Sequence, residues 1–168
     1  YKSFGKTISG SEITNFYISI KENQKTRIGS VDFKGVSAKY LAQIESMFKD
    51  GKSVLISRGY YEKDFIEKFP DKIKEFYHKN GHLFVKVFPL EVKENNGKVD
   101  IVYKIKERLQ TKVSGISVTK EKDTFKSEFE SIYKKLINTK GKPLNILAID
   151  DDIAASINEV RERGYFYA

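Results

Sequence analysis

Two histidines four residues apart, His78 and His82, and the run Asp150–Asp152 are the residues whose types first invite a chemical reading. Imidazoles at that spacing could share a metal or relay a proton, but either task needs further ligands or a paired carboxylate. The chain has no cysteine, and no carboxylate pair adjoins the histidines in sequence. They straddle a helix end and read as surface residues. The three aspartates lie near the start of a helix, where the macrodipole favours negative charge, and two of them are expected to face water. The glycines form neither GxGxxG nor a P-loop, so no phosphate cradle is built. The reading is therefore of a protein that is not an enzyme, with no cofactor and no metal.

Charge and aromatic residues raise a second kind of chemistry. The formal charge is +8 and the pI about 9.4, which suits a polyanionic partner. Yet Arg27, Arg58, Arg108, Arg161 and Arg163 are all the arginines, and the lysines spread along the whole chain. Nucleic-acid sites favour clustered arginine forks, so the charge reads as a diffuse solvated surface. Tyr60, Tyr61 and Phe65 beside Arg58 could stack on bases, as in a KH-like basic module. That module needs a GxxG loop between two helices, and neither "GKSVLISRG" nor "KGKPLN" supplies one. Helix packing is the reading for these rings, and no nucleic-acid partner is expected. No apolar run approaches the roughly 20 residues of a membrane helix, and no signal peptide is visible. The opening "YKSFGK" reads as a strand, as an excised fragment of a longer chain would.

The elements that must position these residues follow from a repeat. "IKENQKTRIGSVDF" from Ile20 returns as "IKERLQTKVSGISV" from Ile105, pairing Glu22 with Glu107, Thr26 with Thr111 and Ile28 with Val113, 85 residues apart without a gap. After the first copy, "RIGSVDFKG" predicts a strand ending at Gly35. Ser37 then caps a helix with Leu41, Ile44 and Phe48 on one face. A second helix spans about Tyr61 to Lys79, with Phe65, Ile66, Phe69, Ile73, Phe76 and Tyr77 as its apolar stripe. Pro70 inside it predicts a kink or a break, and Gly81 stops it. "LFVKVFPLEV" and "KVDIVYKIKE" then alternate as strands, joined through Asn96-Gly97, a strong hairpin signal.

The order restarts with "TKVSGISV". "TFKSEFESIYKKLINTKG" is its first helix, and Asn145 caps a second one carrying Ile149, Ile153, Ile157 and Val160, stopped at Gly164. Residues 1–22 read as two strands around the turn "GKTISG". Two amphipathic helices need an apolar surface, and a three-stranded sheet with one greasy face offers it. The expected architecture is α+β, in β-α-α-β-β modules joined almost without linker into a semi-rigid rod.

This ordered set resembles the POTRA (polypeptide-transport-associated) family, whose domains stand in tandem ahead of the barrel in BamA-type outer-membrane assembly proteins. The residues that carry the resemblance are the strand, the helix pair, and a Gly-aromatic signature. Here that signature is Tyr77, "HKN", Gly81, His82 and, once more, Val160, "RER", Gly164, Tyr165. His82 departs from the usual aromatic. The resemblance implies a three-stranded mixed sheet covered on one face by two helices. It divides the chain into the C-terminal hairpin of a preceding module (1–24), a complete module (25–108), and a module truncated before its final hairpin (109–168).

It also implies an edge strand after the second helix, with Phe84, Val85, Lys86, Val87 and Phe88 binding clients by β-augmentation. The implied partners are unfolded outer-membrane protein precursors, accessory assembly lipoproteins, and the protein's own C-terminal membrane β-barrel. The implied place is the periplasmic face of the bacterial outer membrane. Two-partner secretion and organelle import transporters carry similar modules and remain alternatives. Because residues 1–22 lack helices and the last module lacks a hairpin, each exposes apolar surface, and head-to-tail self-association of the fragment is expected.

Overall fold

Residues 27–34 alternate apart from a register shift between Ile28 and Ser30, which leaves Ile28, Val31 and Phe33 on the core side, and they form the strand β3 (Arg27–Lys34). The computed structural model of the chain describes residues 2–4, 14–16, 25–51, 53–117 and 130–164. Ahead of β3, β1 (Lys2–Phe4) and β2 (Thr14–Phe16) pair antiparallel. The expected turn "GKTISG" lies outside the described residues. After β3 come α1 (Ala38–Lys49), a short unforeseen helix α2 (Val54–Ser57), and α3 (Lys63–Lys79). Then follow β4 (Lys86–Val87), β5 (Glu91–Asn95) and β6 (Lys98–Lys106).

β6 is the centre of the sheet. β3 runs parallel along one flank, and β4 and β5 run antiparallel along the other. The sheet is therefore mixed, as expected, but its third position is two strands instead of one. Pro89 has no N–H to donate, and the ladder lapses between β4 and β5. The β5–β6 hairpin closes through Asn96 and Gly97, both with positive φ (50° and 72°). That pair of left-handed residues is what a two-residue turn between right-twisted strands requires.

Along β6, Val99, Ile101, Tyr103 and Ile105 are buried against the helices, and their even-numbered neighbours lie on the open face. α1 contributes Tyr40, Ile44 and Phe48, so its face is turned slightly from the expected one and takes Tyr40 in place of Leu41. α3 contributes Ile66, Phe69, Ile73 and Tyr77, with Phe65 and Phe76 at the margin. Phe69 meets Phe48 edge-on, with ring centroids 5.1 Å apart, a geometry that adds to area burial.

Pro70 neither breaks nor ends α3. A proline there cannot donate to the carbonyl of Ile66, four residues earlier, and a buried carbonyl without a donor is costly. The hydroxyl of Tyr103, reaching up from β6, donates to that carbonyl at 3.1 Å. The sheet thus supplies the bond that the helix lacks. Tyr103→Phe is expected to cost about 1–2 kcal/mol. In a Pro70→Ala background the new amide fills the same role, and the cost should shrink, a coupling read by a double-mutant cycle in urea.

In the third unit, α4 (Glu130–Lys135), a 3-10 turn (Ile146–Ala148) and α5 (Ile149–Glu162) are the described helices. Asn145 caps the 3-10 turn, its Oδ1 accepting from Leu147 N–H at 3.2 Å. Over residues 111–117 the expected strand "TKVSGISV" shows a bridge, Lys112 to Pro143, and Val113 exchanges backbone bonds with Gly141 and Lys142. Residues 118–129, with the start of the expected helix, lie outside the described residues.

Candidate functional site

The edge begins where α3 ends. Asn80 caps the helix, and Gly81 follows at φ +83°. Val85 N–H then donates back to the His82 carbonyl at 3.2 Å, so Leu83 and Phe84 form a turn instead of extending the strand. Phe84 is 72% exposed and stands outside the pairing ladder. Of the five expected edge residues, Lys86 and Val87 are paired strand, opposite Lys106 and Ile105. Phe88 adds one bond, its N–H donating to the Lys104 carbonyl at 2.9 Å.

Successive backbone units in an antiparallel strand point to opposite flanks. Because Phe88 faces β6, the amide and carbonyl of Val87 face away from it. Val85 and Val87 pack toward the core, while Lys86 and Phe88 stand on the exposed side. The free edge is thus a short window between a turn and Pro89. Beyond it β5 is exposed and charged (Glu91, Lys93, Glu94), which blunts pairing. Glu91 is held below its ordinary pKa by the Lys104 ammonium at 2.6 Å.

The opposite flank is more covered. Ile28 N–H donates to the Gly59 carbonyl and Tyr61 N–H to the Thr26 carbonyl, both at 2.9 Å, so the start of β3 is sealed by the α2–α3 connection. Beside it a groove of 340 Å³ runs between β3 and α1 over Phe33, Phe48 and Ile56. The rings near Arg58 have structural places. Tyr61 and Phe65 pack on the core, and Tyr60 lies under the Arg27 guanidinium, 5.2 Å from its ring centre.

Directly behind the edge is the joint to the third unit, where the sequence reading of His82 is corrected. His82 is 6% exposed. Its ring fills an aromatic slot, edge-on to Tyr40 and Tyr77 with centroids 5.5 and 5.4 Å away. Arg108 adopts φ +62°, which turns the chain after β6. The carbonyls of Glu107 and Arg108 lie 3.1 and 3.0 Å from Nδ1. Two carbonyl acceptors require Nδ1 to carry the proton. The Tyr40 hydroxyl, which accepts from Gln110 Nε2 (3.1 Å) and Lys39 Nζ (3.2 Å), then donates to His82 Nε2 at 3.3 Å. His78, by contrast, is only half-buried.

Glu107 ties the same corner to α1. Ser37 caps α1 by position, but its side chain makes no cap bond. Its N–H donates instead to Glu107 Oε1 at 2.6 Å, and the Tyr77 hydroxyl donates to the same oxygen at 2.7 Å. A carboxylate just past the end of β6 thus does what the third helical residue does in a capping box. Burial pushes the Glu107 carboxyl up, but the bonds from the Ser37 amide and the Tyr77 hydroxyl outweigh it and hold it below its ordinary value. Burial, reinforced by Glu107, raises the Tyr77 hydroxyl well above the usual phenol range.

Beyond the joint, Thr111 N–H donates to the Gly81 carbonyl at 2.8 Å, and Leu144 N–H to the Thr111 carbonyl at 3.0 Å. The third unit is therefore stitched to the end of α3 through main chain. Within that unit Asp150 and Asp151 are exposed, as expected. Asp152 accepts from the Ile137 and Asn138 amides at 2.6 and 3.0 Å and from Asn138 Nδ2 at 2.7 Å. Glu159 is buried among Lys135, Arg163 and Ser131, which hold its pKa down to about 2. These acids are structural pins. Among the described residues no three potential metal ligands gather, and no helix is long and apolar enough to cross a membrane.

A POTRA family model, described as the surface antigen variable number repeat, matches residues 26–108. The outer membrane protein assembly factor BamA of Neorickettsia risticii (strain Illinois) is 25% identical over 154 residues, covering 89% of this chain. The chain spans 21% of that protein's length. The crystal structure of Haemophilus influenzae BamA POTRA3-5 matches with a TM-score of 0.43 and 11% identity, over 85% of this chain and 52% of that one. The matched span, the strand–helix–helix–strand order and the Gly81 signature agree, and residues 26–108 are a POTRA domain.

Proposed function

We propose that this chain is part of a scaffold for outer-membrane β-barrel assembly, in which the window Val85–Phe88 receives an unfolded precursor strand. The reading extends to a periplasmic setting, to accessory lipoproteins docking on the same rod, and to a barrel borne by the whole protein. It also divides the chain into a hairpin at 1–24, a full module at 25–108 and a further module from 109. The scaffold role has no catalytic step, and the tightly tied joint behind the edge keeps the receiving strand in a fixed place along the rod. One observation carries the reading: the backbone of Val87 faces outward on a sheet edge, beside an exposed Phe88. Backbone pairing tolerates many client sequences while a neighbouring ring adds affinity.

Val87→Pro tests it. Proline removes the outward N–H but no ladder bond to β6, and edge strands tolerate it. The variant is expected to keep its unfolding midpoint within a few degrees and to bind an alternating-strand precursor peptide roughly fivefold more weakly, measured by fluorescence anisotropy. Unchanged binding by a folded Val87→Pro protein would move the receptor site elsewhere.

A further inference from the structure

Lys86 and Lys106 are directly opposite each other in the β4–β6 ladder. Like charges at such a position repel, and an acid laid beside them would offset that repulsion. Among the described residues neither lysine has an ion-pair partner. The surrounding open face adds to the positive field. Lys34 is registered beside Lys104, and the one nearby acid that is engaged, Glu91, is already taken by Lys104. Two positions along the edge from Lys86, Phe88 presents its ring to solvent, 44% exposed, on the same side of the strand.

From this pairing we infer that the edge reads side chains as well as backbone. It selects extended segments that carry an acidic residue and an aromatic residue two positions apart. In a strand added outside β4, every second side chain lies on the open face beside its neighbour in the row. The acid then completes the row Lys106–Lys86–acid and neutralises it, and the aromatic residue packs on Phe88. The order of the two residues reports the strand direction. Aromatic before acid fits antiparallel addition, and acid before aromatic fits parallel addition. The inference rests on the proposed use of this edge and adds the chemical class of segment that it takes.

The test uses the 168-residue chain and four end-blocked synthetic peptides in a Ser/Thr strand background. One carries Glu and Phe two apart, one the reversed order, one Lys in place of Glu, and one Glu and Phe three apart. Isothermal titration calorimetry is expected to show one of the two-apart Glu/Phe orders binding about fivefold more tightly than the Lys and three-apart peptides. Its advantage over the Lys peptide should fall as salt rises. Lys86→Glu should reverse the preference so that the Lys peptide binds better, and Lys106→Glu should weaken the Glu advantage by the same route should the first variant fold poorly. Equal binding of all four peptides would leave the edge as a receptor and overturn the selectivity. Binding by none of them would overturn both.

Discussion

Gly81→Val is expected to destabilise the chain by about 3–5 kcal/mol and to loosen the joint, whereas Gly164→Val costs far less. Both glycines stop a helix at the same place in their units, with φ of +83° and +94°. Each therefore avoids the strain of a left-handed β-branched residue, of order 1–3 kcal/mol. They differ in what surrounds them. A Cβ on Gly81 would lie 2.4 Å from the Thr111 carbonyl oxygen and 3.2 Å from both Leu144 N and Pro143 Cβ, while no described atom lies within 4 Å of one on Gly164. Making room at Gly81 pulls apart the bonds from Thr111 to Gly81 and from Leu144 to Thr111, each buried group adding about 1–3 kcal/mol when left unpaired. Urea unfolding reads the stability, and amide hydrogen exchange at Thr111 and Leu144 reads the joint. Equal losses for the two variants, with exchange at Thr111 unchanged, would show that the close approach at Gly81 does not fasten the units together.

The contrast between these glycines marks what sequence alone could say. The helix stop at each was legible from the spacing, because a left-handed residue after an amphipathic run has a chemical signature. The stripe of α3, the Asn96-Gly97 turn and the alternation of β6 were legible for the same reason, since each depends on residues close in sequence. The content of the joint was not. Glu107 meets Ser37 and Tyr77, 70 and 30 residues away, and only the fold brings them together. A signal existed all the same: Glu107 falls in the repeated "IKE", and its counterpart Glu22 holds the same place one period earlier. His82 was misread because an exposed helix end is the ordinary home of a histidine. Its position in the Gly-aromatic signature was the better guide, since the imidazole occupies an aromatic slot. Pro70 was misjudged because the Tyr103 hydroxyl that replaces its missing bond comes from a strand more than 30 residues on. The paired stretch after α3 is shorter than its sequence suggests, because a turn at Leu83–Phe84 and the lapse at Pro89 trim it from both ends.

Glu107 is where the consequences of the joint become measurable as a function of pH. Glu107→Ala removes the acceptor for the Ser37 amide at the start of α1 and leaves the buried Tyr77 hydroxyl without its partner. A lost cap is worth about 1 kcal/mol and an unpaired buried hydroxyl about 1–3, so a loss of about 2–4 kcal/mol is expected near neutral pH. α1 has no acid in its own first turn, so nothing local replaces the carboxylate's favourable place at the positive end of the helix. Glu107→Gln keeps an oxygen for both donors and should lose less. The two variants part company on acidification. A carboxyl held below its ordinary value in the folded state contributes stability that is fully present above the unfolded-state value, near 4.5. That contribution fades as pH falls through the depressed folded value. The stability gap between the natural chain and Glu107→Gln should therefore be constant from pH 7 to about 5 and close as pH drops further. Urea unfolding at several pH values gives the gap directly. A gap that stayed constant through the acid range would mean that the Ser37 and Tyr77 bonds do not distinguish carboxylate from carboxamide, and the corner would then be held by packing around His82 instead of by charge.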